Sequence, residues 1–396
     1  MKVDMQYRQD KYGNSLSVLG YGCMRFNRTP GGVDMKKTEE EILAAVDAGI
    51  NYFDTAYIYP GSEAALGEIL EKNGLRDRVN IATKLPHYMI RKPEDAEKFF
   101  SEELRRLRTD RVDYYLMHML TDDATWERLL SLGVADWIEK KKASGQIRQV
   151  GFSYHGNSDV FCRIVDAYDW DFCMIQYNYL DENAQAGVTG LKYASGRGLP
   201  VMIMEPLRGG RLVSGLPRDA LKMMESHKTK KTPAEWSFSW LWNQPEVTVV
   251  LSGMNSLEMI TENADAADRS LPGCLDGEDR ALLERVKDAI NSKMRVGCTG
   301  CRYCMPCPQG VDIPGSFAAF NRASYDGYYR GLKDYFMCTA LRREKTAASK
   351  CIGCGKCEKH CPQSIAIRDE LKRVKKSFET PLYRIASKAA PMFVKY

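Results

Sequence analysis

Short apolar runs recur along the first two thirds of the chain, and an amphipathic stretch separates each run from the next. The runs lie at residues 17–22, 51–56, 79–85, 112–118, 147–154, 172–180, 200–207 and 247–254. Short apolar runs bounded by turn signals predict buried strands, and the longer stretches between them have helical spacing. Eight strands that each precede a helix predict an α/β fold, a closed (β/α)8 TIM barrel. An open doubly wound sheet is the alternative, but no Gly-rich phosphate fingerprint follows the first run.

Helix signals inside this region are also readable. Thr38 and Glu41 have the spacing of a capping box, which predicts the start of the helix that precedes residues 51–56. Ser62 is predicted to cap the following helix. Residues 124–144 predict one longer helix that ends at Gly145.

The apolar pattern changes after residue 270, where Pro272 and Gly273 mark a boundary. We assign residues 1–270 to the barrel and residues 271–295 to a linker and a bridging helix, whose apolar positions fall on one face. Residues 296–370 form a second domain, and residues 371–396 are predicted to be a basic tail. Residues 313–349 are rich in Phe, Tyr, Ala and Leu, which predicts that the second domain is small and mostly helical.

Composition narrows the class of protein. The chain has 396 residues, 44% of them hydrophobic and 28% charged, as in globular proteins. A net charge of +5 is modest for this length, and no basic stripe interleaved with aromatics suggests nucleic-acid binding. Neither a membrane-spanning run nor a signal-peptide apolar region is visible, so we expect a cytoplasmic protein. Thirteen cysteines in such a protein point to metal rather than disulfides.

Polar residues stand at the ends of three successive predicted strands. Asp54 lies near the end of the second run, Lys84 near the end of the third and His118 at the end of the fourth, while Tyr59 follows in the loop after Asp54. Strand carboxyl ends meet at one face of a barrel, where reactive groups are placed. In order and context these four residues resemble the catalytic tetrad of the aldo-keto reductases.

That resemblance implies reduction of an aldehyde or ketone to an alcohol with NAD(P)H. Tyr59 would be the proton donor, Lys84 would favour its phenolate, Asp54 would hold Lys84, and His118 would orient the substrate oxygen. The resemblance also implies a set of nicotinamide-cofactor contacts: Gly22, Ser153, Gln176, Pro206, Leu207, Arg208, Gly210, Ser252, Glu262 and Asn263.

Several positions depart from the family pattern. Tyr154 stands where Asn is usual, and Met204 replaces the aromatic residue that usually stacks on the nicotinamide. Gly253 and Met259 occupy the places of the basic residues that usually hold the 2′-phosphate of NADP. Three readings remain open: NAD is used, Arg208 and Arg211 substitute, or nicotinamide binds weakly.

Eight cysteines form two runs near the C-terminus. They are Cys298, Cys301, Cys304 and Cys307, followed by Pro308, and Cys351, Cys354, Cys357 and Cys361, followed by Pro362. The second run has the bacterial ferredoxin spacing, and the first is one residue shorter before its last cysteine. Two [4Fe-4S] clusters are predicted, and zinc is the alternative.

In two-cluster ferredoxins the cysteine before proline ligates the other cluster. We therefore assign Cys298, Cys301, Cys304 and Cys361 to one cluster. Cys351, Cys354, Cys357 and Cys307 are assigned to the other. The resemblance to helical ferredoxin domains covers this second part of the chain.

The two parts imply three functional hypotheses. In the first, the barrel is a nicotinamide-dependent carbonyl reductase, and the clusters relay electrons or are structural. In the second, a ferredoxin supplies electrons to a barrel that holds another cofactor, such as flavin. In the third, the protein is an electron-transfer partner with a catalytically silent barrel. Expected partners are a small carbonyl compound and a ferredoxin or another redox protein, with no nucleic acid or membrane. The sequence does not specify the substrate.

Overall fold

The computed structural model describes residues 5–340 and 345–389. The chain divides into two compact units, which we call the barrel unit and the cysteine unit. The barrel unit comprises Met1–Pro206 and Ala234–Asp276, and the cysteine unit comprises Leu207–Pro233 and Gly277–Tyr396. Residues 207–233, which the sequence-based boundary placed with the barrel, thus belong to the cysteine unit.

Most strands of the described residues build the barrel. The strands are β1 (Tyr7–Gln9), β2 (Ser15–Ser17), β3 (Leu19–Gly22), β4 (Arg28–Thr29), β5 (Gly32–Val33), β6 (Tyr52–Asp54), β7 (Asn80–Leu85), β8 (Val112–Leu120), β9 (Ile147–Tyr154), β10 (Phe172–Gln176), β11 (Val201–Met204) and β12 (Val247–Ser252). Strand β3 and strands β6 to β12 close into a barrel in sequence order, with every neighbouring pair parallel and β12 beside β3. The predicted eight-stranded barrel is confirmed.

Two small antiparallel hairpins accompany the barrel. Strands β1 and β2 pair before the first barrel strand, and β4 and β5 pair in the loop after it. Large side chains, including Tyr52, Tyr114, Phe172 and Met202, belong to one buried apolar cluster contributed by the barrel strands. These alternating side chains fill the barrel as a packed core, so the reactive groups are left to the strand ends.

Helices connect the barrel strands and make up the cysteine unit. They are α1 (Met35–Asp47), α2 (Ser62–Lys72), α3 (Glu94–Leu107), α4 (Asp123–Ser131), α5 (Val134–Ala143), α6 (Ser158–Asp166), α7 (Gly187–Gly196), α8 (Arg211–Ser214), α9 (Arg218–Ser226), α10 (Pro233–Trp242), α11 (Leu257–Arg269), α12 (Gly277–Asn291), α13 (Ile313–Tyr325), α14 (Tyr328–Thr339), α15 (Lys356–Lys359), α16 (Ile367–Phe378) and α17 (Pro381–Ala389).

Three local helix predictions were wrong. Helix α1 begins at Met35 and its cap is Asp34, whose carboxylate accepts from the Lys37 amide, so Thr38 lies inside the helix. The predicted helix over residues 124–144 is two helices, because Gly133 adopts φ 72° between α4 and α5. Ser62 is the first residue of α2 rather than its cap, and its hydroxyl donates to the Cys23 carbonyl.

The cysteine unit has an apolar core of its own, which includes Val311, Phe317, Tyr335 and Leu371. Helices α13 and α14 approach closely at Gly331, where a Cβ would lie 2.5 Å from the Cβ of Ala323.

The predicted basic tail differs from what the structure describes. Ile367, Leu371, Val374 and Phe378 recur on one buried face of α16, and the lysines between them are exposed. Helix α17 follows as far as Ala389, and residues 390–396 lie outside the described part of the chain. The basic residues of 372–376 are therefore the solvent face of a packed helix.

Within residues 5–340 and 345–389, the helices are too short or too polar for any of them to traverse a lipid bilayer.

Candidate functional site

The four tetrad candidates lie at the carboxyl ends of adjacent barrel strands. Asp54 is the last residue of β6, Lys84 is the penultimate residue of β7, and His118 lies in the last part of β8. Tyr59 lies in the loop between β6 and α2, where its amide donates to the Ala56 carbonyl at 3.0 Å. Strands β6, β7 and β8 are successive neighbours in the barrel, which brings the four side chains together.

Lys84 is the centre of this group. Its ammonium donates to Asp54 Oδ1 at 2.6 Å and to the Thr55 carbonyl at 2.7 Å. The two charged side chains are only 2% and 6% exposed. Burial lowers the pKa of Lys84, but attraction to the Asp54 carboxylate and the hydrogen bond with it act against burial, and the pKa lies above its ordinary value. Lys84 therefore keeps its positive charge inside the site.

The rings of Tyr59 and His118 lie close to each other, and the Tyr59 ring lies close to Lys84. The Lys84 ammonium lies 5.2 Å from the centroid of the Tyr59 ring, and the Tyr59 and His118 rings meet edge to face at 6.0 Å. Burial raises the pKa of Tyr59, and the Lys84 charge opposes this increase only in part. Burial, and then the Lys84 charge, hold the pKa of His118 well below its ordinary value. At neutral pH the site therefore presents a phenol and an uncharged imidazole.

The backbone next to His118 is irregular. Met119 has φ 66°, which non-glycine residues rarely adopt, and the register between β8 and β9 shifts between Met117 and Leu120. The Met119 amide donates to Ser153 Oγ at 2.8 Å. A bulge of this kind redirects a side chain at the rim of a barrel, and here Ser153 holds it in place.

The next strand ends in a buried amide network. Gln176 Nε2 and Asn178 Nδ2 both donate to Asp181 Oδ2, at 3.0 and 3.1 Å. Gln176 Oε1 is buried and has no hydrogen-bond partner among the described residues. A buried acceptor without a partner costs free energy, so this oxygen is suited to an N–H donor from a bound molecule. The sequence analysis did not identify Asp181. Its role is indirect, because it accepts a hydrogen bond from Gln176 and so orients that amide.

Other predicted cofactor contacts lie near the end of β12. Gly22 ends β3, where a Cβ would come within 3.4 Å of the Ser252 carbonyl oxygen. Asn263 Nδ2 donates to Ser252 Oγ at 3.2 Å, whereas Glu262 is exposed on α11.

Arg25 was missed in the sequence because it is distant from Gly253 along the chain. A Cβ at Gly253 would lie 3.0 Å from Arg25 Cδ. A cationic side chain thus stands beside the position where the family pattern has a basic residue.

The predicted cofactor contacts that follow β11 are divided between the two units. Pro206 ends the first part of the barrel unit, and Leu207, Arg208 and Gly210 belong to the cysteine unit. Arg208 is buried, and its Nη2 donates to the Gly297 carbonyl at 3.2 Å. The structure therefore gives this guanidinium protein partners within the cysteine unit.

Two further histidines were not singled out from the sequence. His87 follows β7 and His155 follows β9, and both are buried. Burial lowers the pKa of each to about 4, and both positions affect the pKa of His118. Three uncharged imidazoles thus lie at this end of the barrel at neutral pH. His155 directly follows a predicted strand and His87 lies two residues after another, which is the signal that could have identified them.

The first cysteine run lines a cavity in the cysteine unit. Cys298, Cys301 and Cys304 share it with Cys361 from the second run, and Ile313, Phe317 and Ile367 complete its walls. Burial, together with the nearby thiols of Cys298, Cys301 and Cys361, raises the pKa of Cys304 to about 12. Within the described residues, no three His, Cys, Asp or Glu side chains form a group for a single metal ion. The four thiols surround a space instead.

The second cysteine run is more exposed. Cys354 is exposed and Ile352 beside it is 67% exposed. The Gly310 amide donates to the Cys307 carbonyl at 2.8 Å, and a Cβ at Gly310 would lie 3.3 Å from Lys350 Nζ. The loop that holds Cys307 therefore lies beside the start of the second run.

Comparison with known proteins agrees with both parts of this description. The sequence model of the aldo/keto reductase family matches residues 18–273, and that of a 4Fe-4S dicluster domain matches residues 297–366. The second match favours iron-sulfur over zinc.

Individual relatives match the first part of the chain. A 6-dehydroglucose reductase from Novosphingobium aromaticivorans is 30% identical over 278 residues, which cover 64% of this chain and 87% of that protein. An NADH-specific methylglyoxal reductase from Escherichia coli is 22% identical over 323 residues, which cover 70% of this chain and 96% of that protein.

Solved structures agree. An aldo/keto reductase from Klebsiella pneumoniae, crystallised with NADP and acetate, is 25% identical with a TM-score of 0.58, covering 72% of this chain and 95% of that one. The barrel, its strand-end residues and the family match together identify the chain as a member of the aldo/keto reductase family, an oxidoreductase with an added 4Fe-4S dicluster domain.

Proposed function

We propose that the barrel reduces an aldehyde or ketone to an alcohol with a nicotinamide nucleotide. The observation that supports this most strongly is the buried Lys84, held by Asp54 at 2.6 Å and 5.2 Å from the Tyr59 ring. A fixed positive charge beside a buried phenol helps the phenol to donate its proton to a substrate oxygen that becomes negatively charged during the reaction.

The proton chemistry follows from the two ionisable rings. Tyr59 carries its proton at neutral pH and donates it to the developing alkoxide. The Lys84 charge then stabilises the phenolate that remains. The uncharged His118 donates a ring N–H to the substrate oxygen and so holds the carbonyl in place.

The barrel unit has groups that fit a nicotinamide ring. Bound there, the reduced nucleotide supplies the hydride that the carbonyl carbon requires. Gln176 would accept from the carboxamide N–H₂ through Oε1, which is buried without a partner in the described part of the chain. Asp181 fixes the orientation of that amide, because it accepts from Gln176 Nε2. Ser153, at the end of β9, would contact the same carboxamide.

The test is Tyr59→Phe in the full-length protein, assayed by oxidation of NADPH and NADH with a panel of aldehydes and ketones. Removing the proton donor should lower the rate about 10²-fold to 10⁴-fold. Tyr57→Phe is the control, because the Tyr57 ring in the same loop packs against Phe99 and Arg106. Equal rates for wild type and Tyr59→Phe would refute the proposal.

NADP is the proposed form of the nucleotide. Arg25 lies along Gly253, so its guanidinium can meet the 2′-phosphate in place of the missing basic residues. Relatives use both forms, since one is named NADH-specific and one structure contains NADP.

Arg25→Gln should raise KM for NADPH about tenfold while KM for NADH changes little, since one charge-assisted contact is lost. Arg28→Gln, an exposed arginine of the same loop, is the control. An unchanged ratio of the two KM values would leave NADP recognition to other residues.

The cysteine unit is proposed to hold two [4Fe-4S] clusters. Cys298, Cys301, Cys304 and Cys361 would bind the N-terminal cluster, and the cavity that all four line supports this set. Cys351, Cys354, Cys357 and Cys307 would bind the C-terminal cluster, supported by the position of the Cys307 loop beside Lys350.

The C-terminal cluster is the proposed contact point for a redox protein. Lys350, Lys356 and Lys359 are exposed around the exposed Cys354, and the acidic Glu358 is paired with Arg368 at 2.8 Å. This basic rim suits an acidic one-electron carrier such as a ferredoxin.

A further inference from the structure

Two arginines of the cysteine unit converge on the beginning of the first cysteine run. Both come from the segment that follows β11. Arg208 Nη2 donates to the Gly297 carbonyl at 3.2 Å, and its Nη1 lies 3.6 Å from Met294 Sδ. Arg211 Nη1 donates to the Cys298 carbonyl.

The Arg211 guanidinium also lies against the loop that holds the next cysteine. A Cβ at Gly300 would stand 3.2 Å from Arg211 Nη2, so the guanidinium lies close against the backbone of Gly300.

Arg208 is buried, so dissolved salt screens its charge less than the charge of a surface arginine. Only 4% of Arg208 is exposed. A charge held away from water acts on its neighbours more strongly, because the local dielectric is low. A guanidinium also keeps its charge across the working pH range.

We propose that Arg208 and Arg211 are fixed cations that raise the reduction potential of the N-terminal [4Fe-4S] cluster. This inference rests on the proposed cluster ligands. One-electron reduction adds one negative charge to a cluster whose first ligand is Cys298, and nearby positive charge stabilises that reduced state. Charge and hydrogen bonding around the sulfurs are recognised determinants of cluster potential. Arg208 and Arg211 are positioning residues in this scheme, since they do not ligate iron.

The experiment is a potentiometric titration of the full-length, iron-replete protein with dithionite under anaerobic conditions, followed by EPR. In both Arg211→Gln and Arg208→Gln, the midpoint potential of the N-terminal cluster should fall. The midpoint potential of the C-terminal cluster should stay unchanged. Arg218→Gln is the matched control, because Arg218 is an exposed arginine of the same segment. Unchanged potentials in both Gln variants would overturn the inference.

A second variant keeps the test decisive if a Gln variant fails to assemble a cluster. Arg211→Lys keeps a positive charge at this position. Its midpoint potential at pH 7 should stay close to that of wild type, whereas the potential of Arg208→Gln or Arg211→Gln falls. A fall in Arg211→Lys as large as in a Gln variant contradicts the inference.

The two proposals fail differently. Wild-type protein without any [4Fe-4S] signal would refute the cluster assignment itself. Normal [4Fe-4S] signals with midpoint potentials that do not change in the arginine variants would refute only the proposed role of Arg208 and Arg211.

Discussion

Asp54 and Lys84 form the one ion pair that unites the tetrad, and both side chains are almost fully buried. A buried pair contributes little net stability compared with apolar residues, but removing one partner leaves an uncompensated charge. The pair is better understood as a device that keeps a cation beside Tyr59 than as a support for the fold.

Asp54→Asn should therefore destabilise the barrel unit by about 3–5 kcal/mol, because Lys84 stays buried without its counterion. Urea unfolding followed by tryptophan fluorescence measures this selectively, since all six tryptophans belong to the barrel unit.

Asp169→Asn provides the comparison for that variant. Asp169 makes an ion pair of similar length with Lys11, 2.7 Å, but is 92% exposed. Its loss should cost less than about 1 kcal/mol. Similar losses in the two variants would contradict the assignment of Asp54 as an essential counterion.

At the scale of elements, the strand ends depend on how closely the surrounding helices pack. Gly67 in α2 faces the end of α3, where a Cβ would lie 2.4 Å from the Leu107 carbonyl carbon. Backbone cannot move aside as a flexible side chain can. The contact between α2 and α3 therefore requires glycine at this position, in the helix that follows the Tyr59 loop.

Gly67→Ala should destabilise the barrel unit by about 1–3 kcal/mol through this overpacking. Gly196→Ala in α7 is the control, because open space surrounds Gly196, and alanine there should stabilise by about 0.5–1 kcal/mol. The same fluorescence measurement decides. A neutral Gly67→Ala variant would show that α2 and α3 can separate at no cost.

At the scale of the whole molecule, the barrel and cysteine units each have a core of their own. We therefore expect damage confined to one unit to leave the fold of the other intact. Cys361 is the residue that tests this most directly, because it joins the cavity of the first cysteine run from the second.

Cys361→Ser should remove the N-terminal cluster and about half of the iron, while carbonyl reduction by the barrel persists. Iron analysis, EPR and the NADPH assay measure the three outcomes. Cys338→Ser is the control, since Cys338 lies between the two runs and is not a proposed ligand. Loss of the C-terminal cluster instead would reverse the ligand assignment.

The sequence predicts the order of the strands and the tetrad candidates better than it predicts the ends of individual helices. Strand spacing and strand-end polar residues suffice to predict the barrel and to choose Asp54, Lys84 and His118, because every parallel strand ends at the same face. Cap details failed at Asp34 and Gly133, since a single φ value or an adjacent carboxylate decides where a helix begins or ends.

The sequence by itself determined the eightfold strand-helix order, the tetrad candidates and the two cysteine runs, because periodicity and ligand spacing are local properties of the chain. The tertiary structure alone decided that Arg25 lies against Gly253, that Arg208 binds the Gly297 carbonyl and that Arg211 binds the Cys298 carbonyl. Those contacts join residues far apart in sequence, and a guanidinium on a long side chain has many partners within reach until the fold selects one.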